Sequence, residues 1–462
     1  MTRRHEGRSD APPLRDALVA FDPVRTGDEM HAWVSRLFPL CRSITGDGLR
    51  ESLRQLGELA PVTLTEVPSG TNVFDWKVPL EWNVRKAFVA DATGRRVIDL
   101  ERSSLHVVGY SIPVRRRMTL EELRPHLHSI PSHPEWIPYR TSYYEESWGF
   151  CLSQSTLDAM TPGDYDVVID STLAPGSMTL GECVLPGETG DEVLVSAHSC
   201  HPSLANDNLS AMVVAAFLAR TLGQVRRRFT YRFLFAPGTI GAIAWLALNP
   251  GPRRGVRAGL SVSCLGDAEP LTYHRTRQGD SELDRIAEVV LQRRPGGCRV
   301  LDFAPYGDER QFCSPGIDMP VGVLTRSGHG ASEKQHTSAD DLGLVLPSCL
   351  SDSLLAALEA VHALEANALV SSLGPGCEPQ LGRRGVYRDL AMRPSKRLLE
   401  SALPWLMSLG DGKHSLVDIA RRSSIPFAVV EEAARVLEGQ ALLRLDEISA
   451  ARSGAASVGG VQ

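Results

Sequence analysis

Long apolar runs are missing from this sequence. No stretch approaches the roughly 18 uninterrupted apolar residues that a membrane-spanning helix needs. The N-terminal segment Met1–Asp10 is charged and has no apolar run behind it, so it lacks the pattern of a secretory signal. We therefore expect a soluble, cytoplasmic protein with no membrane partner.

The sequence also has no excess of charge of one sign. Lys and Arg number 49 and Asp and Glu number 55, which leaves a net charge of −6. A strongly basic balance would indicate nucleic acid or an anionic surface as a partner. The observed balance gives no reason to expect either.

Paired cysteines are missing as well. The nine cysteines make an odd number, and no two of them form a Cys-x-x-Cys pair. This spacing argues against both a disulfide framework and a zinc site built from thiolates. We expect most of the cysteines to be buried thiols.

Length and composition predict a globular protein with more than one domain. The chain has 462 residues, of which 43% are hydrophobic and 23% are charged. Single hydrophobic cores stop growing at roughly 250–300 residues. We therefore expect one large domain with one or two smaller ones.

From Asp191 onward, strand patterns alternate with helix patterns. This alternation is typical of a largely parallel sheet covered by helices on both faces. The predicted strands are Glu192–Ala197, Thr230–Ala236, Gly259–Leu265 and Val321–Leu324, and the predicted helices are Leu209–Leu222, Gly241–Leu248, Ser281–Leu291 and Leu346–Ala366. With two earlier helices, they form a predicted α/β domain of residues 28–61 and 186–371.

The remaining segments differ from this domain in composition and in their predicted secondary structure. Residues 1–27 are polar and rich in Pro and Arg, which predicts a flexible leader. Short alternating runs with turn signals predict an inserted β-rich domain of residues 62–185. After the linker Ser372–Gly376, three short helices and a strand predict a winged-helix domain of residues 378–447. A disordered tail is predicted at 448–462.

The winged-helix pattern raises the question of DNA binding. Its second helix, Pro426–Arg435, is acidic and apolar where a reader of the major groove would present Arg, Lys or Asn. We therefore expect no nucleic-acid partner and assign this domain to packing or to a homo-oligomer.

Polar side chains gather where the predicted strand Glu192–Ala197 gives way to a helix. His198, His201 and Asp207 follow one another closely there. In open α/β sheets, sites form at the carboxyl ends of strands, and imidazole and carboxylate are ligands that suit zinc. Either histidine could be a ligand, with Asp207 bridging two ions. The alternative is that Asp207 caps the helix and the histidines are hydrogen-bonded nearby.

Two later segments add a carboxylate and an imidazole. Asp267 follows the predicted strand Gly259–Leu265, and His336 precedes the last large helix. Dispersed His and Asp residues match a co-catalytic site, in which a bridging carboxylate holds two metals that activate one water. Each residue also has a plainer interpretation, since Asp267 could cap a turn and His336 could belong to a helix cap.

These motifs resemble the co-catalytic di-zinc aminopeptidases. The sequence looks closest to an aminopeptidase-like branch that carries an inserted β domain and a C-terminal winged helix. The segments that carry this resemblance are Cys200–Ser210, Asp308–Gly316 and His336–Leu342. It extends over roughly residues 28–447 and implies a zinc-aminopeptidase-like α/β/α sandwich.

The resemblance implies one or two zinc ions. It makes Asp207 the bridging ligand, and it places Asp267 and a loop histidine on one ion and His336 on the other. His198 takes the strand-end position of the wider family's ligand. His201 lies in the Cys-His-Pro motif of the closer branch and is slightly favoured.

One position departs from the family pattern. The wider family has glutamates at this strand end, one accepting a proton and one binding metal, whereas this chain has Gly238. A glycine can do neither. Three consequences are open: Glu309 or Asp308 acts as the base, only one metal is held firmly, or hydrolysis has been lost or altered. Arg310 is a candidate for holding a substrate carboxylate. The alternative interpretation of residues 308–310 is a solvated charge run.

The sequence therefore predicts a zinc-dependent hydrolase of the aminopeptidase type that cleaves an amide bond of a peptide or small aminoacyl substrate, with Glu309 as the first candidate for the base. A catalytically silent scaffold with a binding or regulatory role and a specialised biosynthetic amide hydrolase are the alternatives. His274 and His329 are expected to be ordinary core or surface residues. The aromatic segment Trp136–Trp148 is expected to pack rather than to line a cleft.

Overall fold

The computed structural model describes residues 11–251, 255–294, 296–328, 332–374, 376–391, 393 and 395–448. The chain divides into two compact units, Met1–Asp284 with Arg294–Ala360, and Arg285–Arg293 with Val361–Gln462. Residues 1–10 of the predicted leader, His329 and residues 449–462 of the predicted tail lie outside the described ranges. Within those ranges, no helix is both long enough and apolar enough to span a bilayer.

The strands, in chain order, are β1 (Thr63–Pro68), β2 (Asn72–Val73), β3 (Trp76–Lys77), β4 (Glu81–Ala90), β5 (Arg96–Asp99), β6 (Val114–Thr119), β7 (Leu127–His128), β8 (Phe150–Cys151), β9 (Asp164–Ala174), β10 (Ser177–Leu185), β11 (Glu192–His198), β12 (Thr230–Ala236), β13 (Val256–Ser263), β14 (Thr272–His274), β15 (Arg299–Leu301), β16 (Val321–Thr325), β17 (Leu369–Ser372), β18 (Asp411–Ser415) and β19 (Leu443–Asp446).

The α-helices are α1 (Leu14–Val19), α2 (Pro23–Leu37), α3 (Asp47–Leu56), α4 (Leu120–Leu123), α5 (Gln154–Asp158), α6 (Ala211–Gly223), α7 (Ile240–Leu248), α8 (Glu282–Leu291), α9 (Glu309–Phe312), α10 (Pro347–Ala366), α11 (Val386–Ala391), α12 (Lys396–Leu409), α13 (Leu416–Ser423) and α14 (Phe427–Gly439). A wider π-helical turn, Ala205–Ser210, leads into α6.

The first unit is built on an eight-stranded sheet with the order β1-β10-β12-β11-β13-β16-β14-β15. In its middle, β11 pairs in parallel with β12 and β13, and β13 pairs in parallel with β16. Parallel strands are buried on both faces and therefore need nearly continuous apolar runs. Val193–Val195 in β11 and Phe233–Phe235 in β12 supply such runs and are fully buried. The prediction of an α/β fold with a mostly parallel central sheet is confirmed.

A second, antiparallel sheet with the order β5-β4-β9-β6 lies within the predicted insertion. The strands at the two ends of that predicted range, β1 and β10, instead pair with each other, and β10 pairs with β12 in the central sheet. Alternating apolar residues identify a strand, but they do not say which sheet it joins. The predicted range 62–185 therefore includes two strands of the central sheet.

The second unit has a three-stranded antiparallel sheet with the order β18-β17-β19, together with α11–α14. Helix α13 starts at a capping box, in which Ser415 and Asp418 satisfy each other's backbone N–H groups. Helix α14 buries Val430, Ala433 and Leu437. Strand β17 precedes residue 378, where the sequence placed the start of this domain, and β18 was not predicted.

Candidate functional site

Candidate ligands meet at the carboxyl end of the central strands. His198 is the last residue of β11, and Asp207 lies in the turn Ala205–Ser210 before α6. The backbone of Asp207 is not helical (φ −105°, ψ 88°), which interrupts the helix at that residue. His336 has a φ of 58°, in the left-handed region that side chains other than glycine rarely adopt. Backbones of this kind are concentrated at functional sites.

Four of the five predicted metal ligands come together around one carboxylate. Ligand atoms of His198, His201 and Asp207 all lie within 4.8 Å of one another. Nε2 of His198 lies 2.8 Å from Oδ1 of Asp207, and Nε2 of His336 lies 3.1 Å from its Oδ2. The rings of His201 and His336 stack with centroids 5.0 Å apart. Each oxygen of Asp207 thus faces a different histidine, and a third imidazole lies beside them.

The pKa values in this cluster favour an ionised Asp207 and a neutral His201. Burial opposes ionisation of Asp207, but the neighbouring His201, His198 and His336 hold its pKa well below the usual range. Burial lowers the pKa of His201 to about 3, so its ring is neutral and keeps a lone pair. Burial acts in the same direction on His198, but the hydrogen bond to Asp207 outweighs it and raises that pKa. Carboxylate and imidazole are donors that fit zinc.

The backbone around Asp207 is held by a second carboxylate. Oδ1 of Asp340 accepts the N–H of Asn206 at 2.6 Å, and Oδ2 accepts the N–H of Asp207 at 2.9 Å. Burial raises the pKa of Asp340 to about 7. The predicted His336 motif contains Asp340, but no role for it was foreseen. Residues that orient ligands in this way are a regular part of metal sites.

The aromatic segment Trp136–Trp148 reaches the same cluster. The N–H of Tyr139 donates to the carbonyl oxygen of His336 at 2.8 Å, and Pro138 forms a β-bridge with Thr337. The ring of Tyr139 lies edge-on to His201 and His336, with centroid distances of 5.2 and 5.5 Å. Tyr139 therefore contacts two candidate ligands. The expectation that this segment only packs misses that contact, because sequence spacing does not show which loop meets which.

Asp267 is not brought to this cluster. Its Oδ1 accepts the N–H of Glu269 at 2.8 Å, and its Oδ2 accepts from Nδ2 of Asn206 at 2.5 Å and from the hydroxyl of Ser327. The carboxylate is 4% exposed and does not line the pocket described next. In the structure, Asp267 holds turns rather than joining the histidines.

A pocket of about 310 Å³ opens beside the cluster. His198, His201, Asp207 and His336 line it together with Gly238 and the predicted Asp308, Glu309 and Arg310. Asp308 and Glu309 are 6% and 2% exposed, so they are not the solvated charge run that was the alternative. Arg310 is exposed. His274, which the sequence assigned to an ordinary role, also lines the pocket.

The two acidic side chains of this pocket have raised pKa values. Burial raises the pKa of Asp308 to about 6, partly offset by His198. Burial also raises the pKa of Glu309, whose Oε1 accepts the N–H of Gly307 at 2.6 Å. A Cβ atom placed on Gly238 would lie 3.1 Å from Cβ of His198 and 3.4 Å from Oδ1 of Asp308. Among the side chains close to Gly238, Asp308 therefore has the nearest carboxylate. Gly238 is the position at which the resemblance to zinc aminopeptidases leads one to expect a glutamate.

Comparison with known proteins agrees with this architecture. Residues 31–367 match the family described as a domain of unknown function, DUF4910, and residues 368–445 match a winged helix-turn-helix family. A protein of Clostridium acetobutylicum named "putative polysaccharide biosynthesis protein with aminopeptidase-like domain" is 45% identical over 421 residues, which cover 91% of this chain and 97% of that protein.

Solved structures point the same way. A crystal structure of a putative peptidase from Clostridium acetobutylicum has a TM-score of 0.88 at 43% identity and covers 94% of this chain and 99% of its own. A zinc aminopeptidase from Bacillus subtilis has a TM-score of 0.55 at 12% identity, covering 74% and 96% of the two chains, which shows a shared fold. The predicted resemblance to zinc aminopeptidases is confirmed for the fold. The chain belongs to the DUF4910 family, whose aminopeptidase-like domain is followed here by a winged helix-turn-helix.

Proposed function

We propose that this protein is a zinc-dependent hydrolase that cleaves the amide bond of a peptide or small aminoacyl substrate. The observation that carries the proposal is the carboxylate of Asp207, which faces His198 on one oxygen and His336 on the other, with His201 alongside. These side chains line a pocket that also contains two buried acids. Metal ligands, candidate bases and space for a substrate thus occur together.

Zinc would be held by His198, His201, Asp207 and His336, and Asp207 could contribute both of its carboxylate oxygens. Bound zinc polarises a carbonyl group and lowers the pKa of a water molecule towards 7. We leave Asp267 out of this ligand set, because its carboxylate does not lie among the histidines and does not line the pocket.

We assign the general base to Asp308. Its carboxylate is buried beside Gly238, and a pKa near 6 allows it both to accept and to return a proton near neutral pH. It would take a proton from the attacking water and deliver one to the amide nitrogen as the C–N bond breaks. The products are a carboxylate and an amine. Glu309 is then free to receive the substrate's α-ammonium group, and the exposed Arg310 a substrate carboxylate.

The test combines metal analysis with turnover. Protein purified without chelator is analysed for zinc by inductively coupled plasma spectrometry and then assayed on a panel of aminoacyl amides and dipeptides. We expect one or two zinc ions per chain and release of free amine. Absence of any divalent metal would refute the proposal, and zinc-loaded protein without turnover would support a silent scaffold.

A second candidate is hydrolysis of a specialised small-molecule amide in a biosynthetic pathway. It is favoured by the name of the relative from Clostridium acetobutylicum, which refers to polysaccharide biosynthesis. Adding an amide of an amino sugar to the same panel separates the two, because a biosynthetic enzyme would cleave that amide and leave dipeptides intact.

A further inference from the structure

Beside the metal cluster, the pocket has a base of small polar side chains from three neighbouring strands. Ser261 and Ser263 lie in β13, Thr325 lies in β16 and His274 lies in β14, and all four line the pocket. We call these four residues the polar floor. The hydrolysis proposed above uses none of them, so their presence in the pocket needs another reason.

The register of the sheet puts the polar floor next to a candidate ligand. Residues two apart in a strand point to the same face, so Ser261 and Ser263 share a face of β13. Ser263 pairs with Thr325 in the neighbouring strand. On the other side, Ala197 pairs with Val262, so that the next residues, His198 and Ser263, lie side by side at the strand ends. The floor therefore borders the place where the scissile bond would lie.

The polar floor has unused hydrogen-bonding capacity. Ser261 is 7% exposed, and its hydroxyl has no hydrogen-bond partner in the part of the chain that the structure describes. Thr325 donates its hydroxyl hydrogen to the carbonyl oxygen of Ser327 at 3.1 Å, which leaves its lone pairs free to accept. Nδ1 of His274 lies 3.3 Å from the carbonyl oxygen of Asp302 and must donate, because a carbonyl only accepts. Its Nε2 is then left for a group in the pocket.

These roles select the chemistry of the group that fits. An apolar group would leave the buried Ser261 hydroxyl unpaired, which is costly. A carboxylate has no hydrogen to donate and would place its lone pairs against those of Thr325. A hydroxyl group can donate its single hydrogen to Thr325 and accept a hydrogen bond from Ser261. The pair Ser261 and Thr325 is therefore complementary to a neutral hydroxyl.

We propose that the polar floor is a specificity site that binds a hydroxyl group of the substrate, next to the amide bond that is cleaved. This assignment rests on the proposed hydrolase function and adds the substrate class, hydroxyl-bearing amides. The hydroxyl could belong to the acyl part, as in a hydroxy amino acid, or to the amine part, as in an amino sugar. The chemistry of recognition is the same for both.

The experiment compares hydroxyl-bearing substrates with counterparts that lack hydroxyl groups. On the acyl side, zinc-loaded full-length protein is assayed on the p-nitroanilides of threonine and valine, which are nearly isosteric. On the amine side, alanyl-glucosamine is compared with alanyl-cyclohexylamine. We expect kcat/KM to favour the hydroxyl-bearing member of at least one pair by about tenfold or more. The pair that shows this preference identifies the source of the hydroxyl.

Three variants test whether the polar floor causes the preference. Ser261→Ala removes the hydroxyl from a small side chain, and Thr325→Val and His274→Met remove the polar atoms at similar size. Each should lower several-fold the ratio of kcat/KM for the hydroxyl-bearing substrate to kcat/KM for its counterpart. Ser401→Ala, an exposed serine in α12, is the control and should leave the preference unchanged.

A binding measurement separates this inference from the hydrolase proposal. Calorimetry compares threonine hydroxamate with valine hydroxamate, and glucosamine with cyclohexylamine, on the same zinc-loaded variants. If turnover is absent but the hydroxyl-bearing ligand of either pair binds tighter and Ser261→Ala removes the difference, the specificity site stands and the hydrolase proposal fails. Equal handling of both members of both pairs, or a preference that survives all three variants, overturns the specificity site.

Discussion

The carboxylate of Asp308 lies beside Gly238, so close that a Cβ atom on Gly238 would be 3.4 Å from Oδ1 of Asp308. The two residues are 70 positions apart, and the resemblance to zinc aminopeptidases leads one to expect a glutamate where Gly238 stands. The same Cβ atom would lie 3.1 Å from Cβ of His198, tighter than an ordinary contact. This corner of the pocket therefore has room for the carboxylate of Asp308 or for that of a glutamate at 238, but not easily for both.

Because of this crowding, moving the carboxylate from position 308 to position 238 is the most direct test of the proposed general base. Asp308→Asn removes the proton acceptor and should lower kcat about 100-fold or more, with little change in zinc content. Gly238→Glu alone should also lower activity, because the new side chain pushes against His198 and Asp308. Gly238→Glu combined with Asp308→Ala opens the space and returns a carboxylate, so it should recover part of the activity lost in Asp308→Ala.

The control for this exchange is Gly238→Gln combined with Asp308→Ala, which has the same shape without the charge. It should stay as inactive as Asp308→Ala. Full activity of Asp308→Asn would transfer the role of the base to another group, with Glu309 the first to examine because its side chain lines the same pocket.

Metal content should separate Asp207 from Asp267. The carboxylate of Asp207 lies among three imidazoles and also accepts a hydrogen bond from Gln335, whereas the carboxylate of Asp267 lies outside that cluster. We expect Asp207→Asn to lose most bound zinc and Asp267→Asn to keep it, measured by plasma spectrometry after dialysis. Loss of zinc from Asp267→Asn at unchanged thermal stability would restore Asp267 to the ligand set that the sequence predicted.

Asp340 should act on zinc through the backbone of Asp207. Asp340→Ala leaves the buried N–H groups of Asn206 and Asp207 without their acceptor, which should cost about 2–4 kcal/mol of unfolding free energy. Zinc affinity, measured by competition with a chromophoric chelator, should fall about 10–100-fold. Asp340→Asn keeps one acceptor oxygen, so its unfolding free energy and zinc affinity should lie between those of the wild type and Asp340→Ala. Unchanged zinc affinity in a destabilised Asp340→Ala protein would make Asp340 purely structural.

Much of the fold could be predicted from the sequence, because its central strands are long apolar runs separated by helices. The strands observed as β11, β12 and β16 lie within a residue of the predicted ones at each end. Short strands were missed: β14 and β15 have three residues each, too few to show a period. Sheet membership of β1 and β10 was also missed, since it depends on contacts far apart in the sequence.

The candidate site was predictable only in part, for the same reason. His198, His201 and Asp207 lie in one loop, so their proximity is visible in the sequence. Asp308 was considered for its motif, but its position beside Gly238 depends on how two distant segments fold together. Tyr139 lies in the aromatic segment Trp136–Trp148, which was expected only to pack, and His274 was expected to have an ordinary role. For Ser261 and Ser263, the alternation in an otherwise apolar strand was the one available hint.

The last prediction concerns how pH acts on the junction between α3 and the inserted sheet. Arg50 in α3 donates to both oxygens of Glu81 at 2.7 Å, and these hydrogen bonds lower the pKa of Glu81 to about 2. A carboxyl group whose pKa is lowered by folding stabilises the protein fully above its unfolded pKa near 4.5 and loses that contribution as pH falls towards 2. Glu81→Gln should therefore reduce the unfolding free energy at pH 7, and the unfolding free energy of this variant should fall less between pH 4.5 and 2, as measured by urea denaturation.

Asp47→Asn, which removes an exposed partner of the same Arg50, is the matched control, and its unfolding free energy should depend on pH as that of the wild type does. A Glu81→Gln curve parallel to wild type would show that this pair contributes no pH dependence.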